Sequence, residues 1–185
     1  AANWLPSGVP ITGDNVKFEL GNSDCLYGLL QTAVTLASLH VAMTYRGKIG
    51  LPRVNSNDYF EYRTFELSIG ATSILLGHGD GPGSGKIAIN TGTVQTAIVV
   101  RDSGGSSDFG VPDITWRGTN VNNTLQVFGG EVGTCPYSDQ TATLASLEQL
   151  GGSIDLKHTS ILHSLTVTAN HTAYDCTHAG EVYAA

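Results

Sequence analysis

A short repeat near the C-terminal end limits what this chain can fold into more than any other feature. In TLASLEQLGGSIDLKHTSILHSLTV, residues 143–167, Leu144 and Leu147 stand three apart, Gly151-Gly152 follow, and then come Ile154 and Leu156. The rhythm restarts with Leu162, Leu165 and Val167, and the step from Leu147 to Leu165 is 18 residues. That is too long for one hairpin strand and too short for a strand–helix–strand unit. A unit of this size, with apolar pairs and glycine corners, cannot bury its apolar face alone and must stack on neighbours like itself.

Earlier parts of the chain follow the same grammar. Leu36-Ala37-Ser38-Leu39 recurs as Leu144-Ala145-Ser146-Leu147. A second element, glycine then a polar residue then Ile or Val, occurs at Gly47-Lys48-Ile49, Gly85-Lys86-Ile87, Gly130-Glu131-Val132, Gly152-Ser153-Ile154 and Gly180-Glu181-Val182. The glycine turns a corner, the polar residue faces water and the β-branched residue points inward. Intervals of 38, 45, 22 and 28 residues between these glycines read as two coils, two coils, one coil and one long coil. On that reading the chain holds roughly seven or eight coils.

Composition agrees with an all-β chain. Of 185 residues only 14% are charged, while 23 are glycine. Tight corners use glycine, and exposed strand faces favour Thr over long charged side chains. A net charge of −7, with no Lys/Arg cluster, argues against nucleic acid and anionic membrane as partners. No apolar run is long enough to span a bilayer, and the first residues show no basic-then-apolar leader. Ala1-Ala2 fits either loss of an initiator methionine or cleavage after small residues. Cys25, Cys135 and Cys176 form no C-x-x-C pair. They read as small buried residues, with one disulfide plus one free thiol as the other possibility.

In chain order, residues 1–24 read as an N-terminal cap, with Pro6 and Pro10, a turn at Gly13-Asp14 and a short strand through Val16 and Phe18. Residues 25–185 then form the repeating domain. An insert, residues 52–63, interrupts the rhythm and carries Tyr59, Phe60 and Tyr62, the expected partner contact. Two glycine-rich stretches, residues 78–85 and 102–110, read as long mobile side loops.

The segment Asn3-Trp4, Gly8, Pro10, Gly13-Asp14, Val16, Phe18 is similar to the entry segment of bacterial and phage-encoded right-handed β-helix proteins, including autotransporter-like passengers and short virion-associated proteins. In style the resemblance continues through the Leu-Ala-Ser-Leu units and the glycine-rich middle. It implies a non-enzymatic structural virion protein that decorates or reinforces a capsid or forms part of a fibre. The implied partners are its own copies, as a homotrimer, and other capsid or virion proteins. The implied location is the virion after synthesis in the host cytoplasm, with an extracellular or cell-surface site as the alternative.

Catalytic chemistry finds weaker footing. Gly79 to Lys86, GDGPGSGK, has Asp80 and Ile87 where a phosphate loop needs Gly and Ser or Thr, and a strand is expected after it where that loop needs a helix. Asp102, Asp108, Asp113, Glu131, Glu148 and Asp155 are the carboxylates a polysaccharide-cleaving coil would pair, but none stand together in the sequence. His171, Asp175, Cys176 and His178 are the densest potential metal ligands and match no metal motif. Thr64, Thr72, Thr91, Thr93 and Thr96 are too irregular for a flat Thr-rich adhesive or ice-binding face. The expectation is therefore a single-stranded right-handed parallel β-helix, a β-solenoid, with no catalytic, cofactor or metal residues. A jelly-roll or β-sandwich is the alternative fold, and a polysaccharide-binding or tailspike-like depolymerase the alternative function.

Overall fold

The computed structural model describes residues 8–50, 65–104, 112–135 and 139–167. Those residues form an all-β structure of eleven strands: β1 (Asn15–Phe18), β2 (Leu30–Ala42), β3 (Leu67–His78), β4 (Ile87–Asn90), β5 (Ala97–Val100), β6 (Ile114–Arg117), β7 (Thr124–Val127), β8 (Glu131–Thr134), β9 (Ala142–Gln149), β10 (Ser153–Leu156) and β11 (Thr159–Val167). Every pairing among them is parallel. The sheet runs β10-β8-β6-β4-β3-β5-β7-β9-β11, with β2 and β1 beyond β3. No described helix is long and apolar enough to cross a membrane. Jelly rolls and most sandwiches are built from antiparallel strands, so the uniform parallel pairing leaves no place for the alternative fold.

The strand order resolves into two ladders that the chain visits in turn. Ladder A stacks Ile49, Ile87, Ile114, Val132 and Ile154, with Leu67, Ile89, Trp116, Thr134 and Leu156 as the next inward column. Ladder B stacks Val16, Leu39, Ile74, Ile98, Leu125, Leu147 and Leu165. β3 belongs to both, pairing with β4 near its start and with β5 near its end. Burial alternates along the short strands, as a pleat with one face inward requires. These inward columns form one apolar core in which Ile49, Val100, Val127 and Leu144 are fully buried.

The corners are held by polar staples between levels. Asn123, fully buried, accepts from the Thr96 amide at 2.9 Å and donates to the Thr143 carbonyl at 3.2 Å, linking three successive levels of ladder B. The Trp116 indole donates to Thr91 Oγ1 at 3.2 Å. At the corner before β10, Gly152 has φ +69°, and a Cβ there would lie 2.4 Å from the Gly130 carbonyl oxygen. Only glycine fits that close approach and left-handed backbone.

Several sequence expectations are corrected. The 38-residue interval from Gly47 to Gly85 is one step, because Ile49 pairs directly with Ile87. The extra length enters at a single strand position, since Leu67 pairs with Ile89 just beyond. Leu162 does not repeat Leu144: a register shift lets Ile161 take that position, leaving Leu162 exposed. The loop at residues 78–85, read as mobile, is tied down. The Gly83 amide donates to the Met43 carbonyl at 2.9 Å, and Ser84 Oγ donates to the Gly47 carbonyl at 2.5 Å. β1, the short strand expected through Val16 and Phe18, pairs in register with β2 as the first rung of ladder B.

Candidate functional site

Outward side chains distinguish the two ladders. On ladder A most are half-buried or exposed, but one carboxylate is covered. Glu66 is buried beside the start of β3 and pairs with Arg117 at the end of β6; Arg117 Nε donates to Glu66 Oε1 at 2.8 Å and its terminal amino group contacts the same oxygen. Gln140 donates to the other carboxylate oxygen at 3.5 Å. The hydrogen bond to Glu66 raises the Arg117 pKa further above its ordinary value. Cys135 lies fully buried beside this cluster, and burial pushes its thiol up to about 12, with Arg117 pulling the other way. Sequence reading missed Glu66, Arg117 and Gln140, which sit 51 and 74 residues apart and carry no local pattern.

A second polar knot gathers around Ser103. Its amide donates to Asp102 Oδ1 at 2.7 Å, its hydroxyl donates to Asp113 Oδ2 at 2.8 Å, and that hydroxyl accepts from the Glu131 amide at 3.0 Å. Two of the six candidate carboxylates, Asp102 and Asp113, thus meet at one serine, with the Glu131 backbone as its third partner. Asp113 is buried, its Oδ1 has no hydrogen-bond partner, and only its Oδ2 is engaged. The knot fixes the corner between β5 and β8. Glu148 accepts from Gln126 at 2.6 Å, and Asp155 pairs with Lys157 at 2.9 Å. Asp108 lies outside the described residues.

The outward face of ladder B is bare. One row runs Asn15, Ser38, Ser73, Ala97, Thr124, Ser146 and Ser164; the next runs Lys17, His40, Leu75, Val99, Gln126, Glu148 and Thr166. All fourteen are exposed or half-buried. The first of these rows carries only short side chains on strands spaced about 4.8 Å apart. His40 stacks edge-on against His78, with ring centroids 5.6 Å apart. Burial, then Lys17 and His78, lowers the His40 pKa below its ordinary value. Beside the face, the Arg101 guanidinium sits 3.9 Å over the Phe128 ring.

Other expected features fall elsewhere. Tyr59, Phe60 and Tyr62, the expected partner contact, lie outside the described residues, as do His171, Asp175, Cys176 and His178. Among the described residues no group of three or more His, Cys, Asp or Glu is arranged to hold a metal. Thr91 and Thr96 are buried while Thr72 and Thr93 are exposed, so these threonines share no face. Cys25 and Cys135 are both free thiols. Glycine-rich residues 79–86 lead into β4, a strand, so no helix terminus stands there to bind phosphate. At the β1 end, inward residues including Val16, Leu36, Leu39 and Ile69 line an apolar cavity of about 220 Å³. No protein-family model, no curated protein and no solved structure matches the chain.

Proposed function

We propose that this chain is a single-stranded right-handed parallel β-helix that serves as a non-enzymatic structural protein of a virion, reinforcing or decorating a capsid or contributing to a fibre. Two observations support the fold reading: the ladders keep parallel register from level to level, and the chain alternates between them. Right-handed crossover is the rule for parallel strands joined in this way. The observation that carries the function is the outward face of ladder B. One of its two rows is built of short side chains, its centre is free of charge, and the face runs across seven strands. Such a face suits packing against another protein. The virion setting rests on the family resemblance and supplies the partners, its own copies and neighbouring capsid proteins.

A cleaving enzyme would need two carboxylates about 5 to 9.5 Å apart on an open face. Of the described carboxylates in that set, Asp102 and Asp113 accept from Ser103, Glu148 accepts from Gln126, and Asp155 pairs with Lys157. The test pairs two readouts on the full chain. Light scattering from dilute to concentrated protein is expected to show association, and bacterial surface polysaccharides are expected to release no reducing ends. Catalytic turnover of any such polysaccharide would overturn the structural reading.

A further inference from the structure

We infer that the outward face of ladder B docks on the same face of a second copy, with the two stacks antiparallel about a two-fold axis lying along the strands between β3 and β5. This deepens the assembly reading above and rests on it. The order of residues along one row carries the inference: Lys17, His40, Leu75, Val99, Gln126, Glu148. Reversed and laid against itself, this row sets Lys17 opposite Glu148, His40 opposite Gln126, and Leu75 opposite Val99. Cation meets carboxylate at both ends, and aliphatic meets aliphatic in the middle. A two-fold contact needs a patch that complements its own reverse.

The neighbouring row does not obstruct this arrangement. It is small throughout, with Ser73 facing Ala97 at the centre, so the two sheets can approach to about the 10 Å of packed sheets or less. Running the stacks in the same direction instead sets Glu148 level with Glu148 and loses both ion pairs. A cyclic trimer, implied by the family resemblance, uses a heterologous contact and gains nothing from this palindromic order. Lys17 already pairs with Glu19 in its own chain, and both side chains remain about half exposed, at 48% and 45%. The ammonium can therefore serve both carboxylates. Six strands by four residues span roughly 350 Å² per copy. That is under half of the ~800 Å² per partner of a standard interface, so the dimer is weak and forms at high protein concentration.

The test is sedimentation velocity of the full chain over a range reaching high concentration, with far-UV circular dichroism to confirm that each variant is folded. Glu148→Lys and Lys17→Glu each oppose like charges at both ends of the interface. Each is expected to weaken dimerisation by about tenfold, since the two-fold repeats every pair. The double variant restores the opposition with signs exchanged and is expected to return to near the wild-type constant. A wild-type chain that associates but ignores the single reversals, or a double variant no better than the singles, overturns the two-fold docking and leaves the structural reading standing. A wild-type chain monomeric at every concentration also overturns the docking, and a structural role would then depend on other proteins. Polysaccharide turnover, measured separately, is what would remove the structural reading itself.

Discussion

Ladder A and ladder B grow from the same alternating chain and stack similar inward residues, but only ladder A carries a buried ion pair, Glu66 with Arg117, outside its core. Ladder A buries a carboxylate, Glu66, beneath polar contacts from β6 and Gln140. Its strands from β4 onward are four residues long and end in stapled corners. Ladder B uses the longer strands β2, β3, β9 and β11 and leaves short side chains in water. The difference teaches where specificity and where adhesion reside. A buried ion pair adds little net stability over apolar packing, yet losing one partner is costly, so it locks register. The outward face of ladder B has no buried ion pair of this kind; its interlevel bonds, such as Gln126 to Glu148, lie between half-buried side chains.

The sharpest way to break this comparison is to delete one carboxylate from each face. Glu66→Ala leaves Arg117 partly buried without its anion and is expected to cost about 3 kcal/mol. Glu148→Ala on ladder B is expected to cost under about 0.5 kcal/mol. Urea unfolding of the two variants measures both, and equal costs would mean that the faces do not differ. A smaller contrast compares backbone with surface. Gly152→Ala at the ladder A corner forces a side chain into a left-handed backbone and against the Gly130 carbonyl, with an expected loss of about 2 kcal/mol. Ala97→Ser, in the exposed row of ladder B, is expected to leave the urea midpoint nearly unchanged.

A further contrast is an alkaline pH dependence at ladder A. The Cys135 thiol has a pKa of about 12 in the folded chain against 9.0 for an ordinary thiol. A raised pKa means the folded state holds its proton longer, so this contribution is complete below pH 9 and is lost as pH rises from there toward 12. Cys135→Ala is expected to flatten that part of the alkaline stability profile. In the wild type, alkylation of Cys135 at pH 8.5 is expected only after unfolding.

Much of the stacking was legible in the sequence, because periodic burial leaves periodic residues. The glycine element placed Ile49, Ile87, Val132 and Ile154 in one column, as ladder A confirms. Ile114 escaped because Pro112-Asp113 stands where the glycine would be. The Leu-Ala-Ser-Leu pairs placed Leu39 and Leu147 in ladder B. Step counts failed where an insert lengthened one level, since interval length alone cannot separate one long coil from two short ones. The polar knots were illegible for a different reason. Glu66 meets Arg117, and Ser103 meets Asp113, only after the levels are stacked, so neither pair leaves a spacing to read. The palindromic row of ladder B likewise exists only in register.

That register is open to direct measurement by double electron–electron resonance. Spin labels would be placed in pairs on the outward small-residue row, at Ser38, Ser73, Thr124 and Ser146, with Cys25, Cys135 and Cys176 replaced. Stacked parallel levels predict separations that grow by about 4.8 Å per level, reaching roughly 19 Å between Ser38 and Ser146, four levels apart. Separations that do not grow in that order, with Ser38 no farther from Ser146 than from Ser73, would contradict the two-ladder stack and everything built on its outward face.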